Sequence, residues 1–335
     1  MKVMPSIEEV REIAKTGKYD VVPVSCEILS DFTTPIEAIR ILKNASTHAY
    51  MLESAWANER WGRYTFLGFD PKLEITCING EITYGDKTEM TDDPSKIIRE
   101  IMSRFKSPRF DYLPSFTGGL VGYFSYDYLT YAEPTAKCDV IDEENFKDVD
   151  LMLFDKVIAF DHVKQKLILI TNMSLEDVDA GYSEAVSELE FLIDLLKHGE
   201  KADDPAGKLL GEVTPLFSRE EYCAMVEKAK NYIHEGDIFQ IVLSNRLCAP
   251  YEGSLLNTYR LLRTINPSPY MFYFAGTDVE VAGASPETLV KLETGSCTHS
   301  LSPEQGLGAR PKKRTRGLKK SFWLTRRNLL STTCS

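Results

Sequence analysis

Residues 266–288, reading N-P-S-P-Y-M-F-Y-F-A-G-T-D-V-E-V-A-G-A-S-P-E-T, constrain this chain more than any other stretch. Pro267 and Pro269 fix two backbone angles and remove two N–H donors, so the helical pattern before them stops and the chain leaves extended. Tyr270 to Phe274 are aromatic or apolar and read as a strand. Gly276, Thr277 and Asp278 supply a tight turn, and a second strand runs on to Ser285-Pro286-Glu287. There a proline ends the strand and a carboxylate is presented at its tip.

Comparable signals organise the rest. Ser6 with Glu9 forms a capping box ahead of a helix over 7–16, and Thr34, Pro35 and Glu37 open a second helix over 38–43. Residues 94–105 carry apolar side chains at helical spacing. Ser174 with Asp177 opens an amphipathic run to His198, closed by Gly199. Ser218 with Glu221 opens another that ends at Glu235-Gly236, and 255–265 follows as a third. Between them, strands are expected at 49–53, 63–67, 73–78, 81–84, 120–125, 156–160 and 166–171, several joined by Gly-containing turns such as Asn79-Gly80. Helices fall between groups of strands rather than after each one. That predicts an α+β fold of large antiparallel sheets in two layers, flanked by helices, rather than a doubly wound parallel sheet. Residues 200–216 are rich in Gly, Pro and charge and read as a linker between regions 1–199 and 217–299.

Net charge separates a fourth region. The chain carries −11 overall, which argues against nucleic acid as its main partner. Residues 1–300 hold 30 basic and 49 acidic side chains, a net of −19, whereas 301–335 hold nine basic and one acidic, a net of +8. No apolar run approaches membrane-spanning length and the start of the chain has no apolar signal core, so the expected location is cytoplasmic, away from membranes. The seven cysteines are scattered singly and the five histidines are dispersed, without the spacing of a zinc site or a disulfide framework.

Four further motifs bear on chemistry. Gly118-Gly119-Leu120-Val121-Gly122-Tyr123 lacks the G-K-[ST] ending of a phosphate loop and reads as a close approach of two strands. Residues 232–244, Y-I-H-E-G-D-I-F-Q-I-V-L-S, read as a helix end, a glycine stop and a buried strand over 238–243. Ser285-Pro286-Glu287 offers either a solvated turn glutamate or, if partly buried, an acid of raised pKa. Met51-Leu52-Glu53-Ser54, followed by 62–68, is a strand, a loop and a second strand.

Taken together, G-D-I-F-Q-I-V, N-P-S-P-Y-M, G-A-S-P-E, M-L-E-S and G-G-L-V-G-Y-F-S-Y-D resemble the chorismate-binding enzymes, specifically the anthranilate synthase component I family, from about residue 20 to His299. The resemblance implies ammonia-dependent conversion of chorismate to anthranilate and pyruvate, the first committed step of tryptophan biosynthesis, with Glu287 as the general acid for the departing hydroxyl. Isochorismate and salicylate synthases carry a water-activating lysine where Gln240 stands, and a neutral glutamine suits an enzyme that admits ammonia instead. The resemblance also implies feedback binding of tryptophan by Ser54 with the backbone of Pro269, Tyr270 and Met271. It implies Mg²⁺ held by residues beyond those matched here, and, since no glutaminase G-x-C-x-G element occurs, a separate glutamine amidotransferase subunit as ammonia source. Within the class the alternative is aminodeoxychorismate synthase component I. From another class it is a non-catalytic tryptophan-binding remnant.

After His299 the resemblance stops, where the family continues with P-x-A-G-T-R and an acidic helix. Re-reading each codon of the tail from its third base permits F-P-x-A-G-T over 301–307 and E-L-L-A-D-E-K-E-L-A-E-H-N-M-L over 320–335. The expectation is therefore a frameshift near Ser300 followed by termination, with 300–335 an out-of-frame basic tail, the catalytic fold incomplete at its C-terminus and the literal chain inactive. A natural basic tail binding nucleic acid or membrane is the other reading.

Overall fold

The computed structural model describes residues 1–54, 62–133, 135, 144–293 and 296–298; the basic tail over 300–335 lies outside them. Among these residues the chain divides into two compact units, Met1–Ala206 with Ser254–Ser300, and Gly207–Gly253.

The first unit is the expected α+β sandwich. Its larger sheet is antiparallel, in the spatial order β1 (Val3–Met4), β2 (Val21–Leu29), β11 (Lys166–Ser174), β10 (Lys156–Asp161), β4 (Tyr64–Phe69), β3 (Ala49–Glu53), β16 (Tyr270–Ala275) and β17 (Glu280–Ser285). The second sheet is the meander expected around Asn79-Gly80, in the order β7 (Lys87–Met90), β6 (Glu81–Tyr84), β5 (Leu73–Ile78), β9 (Val149–Phe154) and β8 (Gly119–Phe124). Period-two alternation sends the two faces of each strand to different cores. Tyr50, Phe66, Phe274, Met152 and Phe154 meet between the sheets, with Phe116 set edge-on to Tyr50 and Phe66. Ala49, Met51, Met271 and Tyr273 point the other way, under α1 (Ile7–Lys15), α2 (Pro35–Ala45), α5 (Val178–His198) and α7 (Leu255–Ile265). On the far face of the second sheet, Ile75, Cys77, Val149 and Leu151 pack under α3 (Pro94–Met102). Every residue of β9 is buried, which is why its sequence shows no alternation; both of its faces are covered.

Helix starts follow the chain's own caps. The Glu9 N–H donates to Ser6 Oγ at 3.3 Å and Glu9 Oε2 accepts from the Ser6 N–H at 2.8 Å. Thr34 Oγ1 accepts from the Glu37 N–H at 3.2 Å, with Pro35 in the first turn. One cap differs from expectation. Asp177 closes the start of α5 by accepting from the Ala180 N–H at 3.1 Å, while Ser174 Oγ accepts from the Glu176 N–H in the turn before it. Ser174 ends β11 and is paired with Val21, so it belongs to the sheet.

The close approach expected at Gly122 is present. An added Cβ there would stand 1.9 Å from the Asp150 carbonyl oxygen on β9. Gly122→Ala must push β8 off β9, with an expected loss of about 2–3 kcal/mol in urea unfolding; an unchanged midpoint would show that the strands separate without cost.

In the second unit, α6 (Arg219–Glu235) starts on the Ser218–Glu221 capping box and stops at left-handed Gly236, as expected. Two short ladders flank it in sequence: β12 (Lys208–Leu209) with β15 (Tyr251–Glu252), and β13 (Thr214–Pro215) with β14 (Leu247–Cys248). The strand expected over 238–243 is absent: the segment is irregular, and no strand pairs with it among the described residues. Alternating apolar residues become a strand only beside a partner, and here Tyr222 Oη holds the Leu243 carbonyl instead. One border between the units, at Ala206–Gly207, falls within the Gly- and Pro-rich stretch, and the other lies at Gly253–Ser254. Hydrogen bonding of β16 to β3 draws residues 254 onward into the first unit's sheet.

Candidate functional site

Two of the sequence-predicted elements meet at one end of the larger sheet. Met271 of β16 stands opposite Glu53 of β3, so Ser54 and Tyr270, the next residues along this antiparallel pair, stand at the same end of the two strands. Ser54, Pro269 and Tyr270 are half-buried and Met271 is buried, as is Ser268 in the turn before them. The turn is rigid because two prolines flank Ser268.

The carboxylate of Glu53 anchors this end. Its side chain is 7% exposed, yet it is fully partnered by α7. Tyr259 Oη donates to Oε1 at 2.6 Å, Arg263 Nε to Oε1 at 2.5 Å and Arg263 Nη2 to Oε2 at 2.8 Å. Burial against Glu53 holds the Tyr259 phenol far above its ordinary pKa. Beside the pair sits His162, whose Nε2 is 2.8 Å from Thr65 Oγ1; burial lowers its pKa, favouring the neutral ring, and Glu53 and Arg263 pull in opposite directions. In the sequence Glu53 stands only as one letter of M-L-E-S, 206 and 210 residues away from its partners. Tyr259 and Arg263, one helical turn apart on the same face of α7, are the signal that was available.

The other edge of β16 leads to Glu287. Tyr270 pairs with Ser285, and its hydroxyl lies 2.5 Å from Thr288 Oγ1, so the strand end that faces Ser54 is also tied to the loop carrying the carboxylate. Glu287 is partly buried, with its N–H 3.4 Å from Ser285 Oγ. Gln240 belongs to the other unit, exposed on the irregular segment after α6 rather than on a buried strand.

A second polar cluster, unforeseen from the sequence, lies where α2, α7 and β17 meet. Lys43 Nζ reaches Asp204 Oδ1 at 2.6 Å, Ser254 Oγ at 2.9 Å and Glu280 Oε1 at 3.3 Å, and sits over the Tyr273 ring. Glu280 also accepts from the Leu255 N–H at 2.9 Å, from Ser254 Oγ at 2.9 Å and from Tyr273 Oη.

Among the described residues no group of three or more His, Cys, Asp or Glu could hold a metal ion, and no helix is long and apolar enough to cross a membrane. Cys26 and Cys77 are buried thiols, and burial pushes Cys26 up to about 11.

Residues 7–301 match the family described as chorismate binding enzyme. The anthranilate synthase component 1 of Acetivibrio thermocellus is 35% identical over 303 residues, covering 87% of this chain and 60% of the relative. That of Aquifex aeolicus is 34% identical over 308 residues, covering 88% and 61%. The crystal structure of anthranilate synthase component I from Streptococcus pneumoniae superposes with a TM-score of 0.60 at 27% identity, over 80% of this chain and 59% of that one. The chain thus spans about 60% of the length of the curated relatives it matches.

Proposed function

Because the chain belongs to the chorismate-binding enzyme family, we propose that it derives from an anthranilate synthase large subunit, an enzyme that acts on chorismate and ammonia. In this reading Glu287 protonates the departing ring hydroxyl, ammonia adds to the conjugated ring, and loss of pyruvate makes the ring aromatic. Gln240, being neutral, does not generate hydroxide from water, which favours ammonia as nucleophile. Glutamine supplies the ammonia through a separate amidotransferase subunit, and the setting is cytoplasmic. The family's Mg²⁺ finds no matching group among the described residues, and no step here depends on it. Residues 217–299 belong functionally to the chorismate site, while Ser54, Pro269, Tyr270 and Met271 hold tryptophan as feedback inhibitor.

The observation that supports the regulatory half is the pairing of Glu53 with Met271, which joins two sequence elements that each say little alone. The exposure of Gln240 favours a second reading, a tryptophan-binding chain without turnover. One pair of assays separates them: calorimetry with tryptophan, and anthranilate fluorescence from chorismate and ammonium. Turnover together with binding supports the synthase, whereas binding without turnover supports the second reading. Failure of both would remove the tryptophan element as well.

A further inference from the structure

Arg263 is 33% exposed, on the last turn of α7, and its guanidinium forks onto both oxygens of an almost fully enclosed Glu53. Tyr259, one turn earlier and itself buried, adds a third donor to the same carboxylate. The chain then leaves α7, passes the Pro267-Ser268-Pro269 turn and enters β16, where Met271 pairs with Glu53 again. The segment that carries Pro269 and Tyr270 is therefore closed at both ends on a single residue: by a charged fork at 263 and by the strand ladder at 271. Ser54 follows Glu53 directly.

We propose that Arg263 is a positioning residue for the amino-acid pocket, setting through Glu53 the spacing between Ser54 and the Pro269–Tyr270–Met271 backbone. The inference rests on the reading of those four residues as a tryptophan element, since it concerns what holds them in place. A planar fork on a buried carboxylate fixes both distance and rotation, which an ammonium at the end of a flexible stem does not. A pocket that must grip the charged ends of an amino acid needs its two walls held within a fraction of an ångström.

A merely structural role is separated from positioning by an apolar replacement of the pair. Removing one partner of a buried ion pair destabilises, but replacing both by apolar side chains of similar volume restores stability. The experiment measures L-tryptophan affinity by calorimetry and melting temperature by circular dichroism. The proteins are the full chain, Arg263→Lys, Arg263→Met, the triple variant Glu53→Leu with Arg263→Met and Tyr259→Phe, which removes the carboxylate and both of its donors together, and Ser54→Ala. Expected are at least about tenfold weaker binding in both Arg263 single variants, and a triple variant that regains the melting temperature but not the affinity. Affinity that simply follows melting temperature, or Arg263→Lys binding like the unaltered chain, overturns the positioning role. If Ser54→Ala weakens binding while the Arg263 variants do not, the pocket stands and this inference alone falls. If the unaltered chain does not bind tryptophan, the pocket reading falls and takes the inference with it.

Discussion

Replacing Glu280 by leucine is expected to lower the stability of the first unit by about 3 kcal/mol at neutral pH. The carboxylate, with its side chain 25% exposed, gathers donors from three elements: Lys43 on α2, Ser254 and the Leu255 N–H at the start of α7, and Tyr273 on β16. Without it the first turn of α7 loses the acceptor for one of its free N–H groups. Lys43 then keeps Asp204 and the Ser254 hydroxyl as partners, while Asp204 Oδ2 already lacks a hydrogen-bond partner. Burial pushes the Glu280 pKa up, but the Leu255 N–H, the Tyr273 hydroxyl, Lys43 and Ser254 together outweigh it and hold the group below its ordinary 4.5. A depressed carboxylate stabilises fully above its unfolded pKa, and that stabilisation is lost as pH falls through the folded value. The gap between the unaltered chain and Glu280→Leu should therefore be full at pH 7 and shrink progressively below 4.5. Adding Lys43→Met to Glu280→Leu should not recover the loss, because Lys43 Nζ, 2.6 Å from Asp204 Oδ1, is the cation that this nearly buried carboxylate keeps. Urea unfolding of the three proteins at pH 7 and pH 4 checks this. A loss that is the same at both pH values would mean that Glu280 acts as a packing residue.

Much of this architecture was readable because its signals are local. Ser6–Glu9, Thr34–Pro35 and Ser218–Glu221 each decide a helix start within four residues, and Asn79-Gly80 decides a hairpin within two. What was not readable depends on partners distant in sequence. The segment 238–243 alternates as a strand does, but alternation cannot report whether another strand lies alongside, and here none does among the described residues. Conversely, residues 270–285 read correctly as a hairpin, yet nothing within them announces that β16 hydrogen-bonds to β3. The candidate site shares this division. Ser54 and Pro269 to Met271 were found as motifs, whereas the Glu53–Tyr259–Arg263 contact and the Lys43–Glu280 cluster have no periodic signature. A polar residue with helical neighbours reads as a solvated face until the fold buries it.

The Gly207–Gly253 unit is expected to make the chain self-associate and bind the dye ANS in its native state. Its helix α6 is capped at both ends, but only Ala229 of its 17 residues is buried. A helix of that length owes most of its stability to packing of an apolar face rather than to caps. Around it, Leu209, Leu210, Val213, Leu216, Ile241 and Leu247 are exposed, and Phe239 is 92% exposed. Apolar side chains gathered in one small unit form the kind of surface that soluble monomers rarely show. No strand pairs with the irregular segment over 238–243 among the described residues, which leaves backbone that a second strand could pair with. Sedimentation velocity should show association that grows with concentration, accompanied by ANS fluorescence well below the melting temperature. Phe239→Ser with Leu247→Lys should reduce both signals, each exposed side chain contributing about 1.5–3 kcal/mol when it finds cover. The melting temperature of the first unit should be unchanged by those two substitutions, since neither residue belongs to it. A monomer at every concentration, silent to ANS, would require these side chains to find cover within the chain itself.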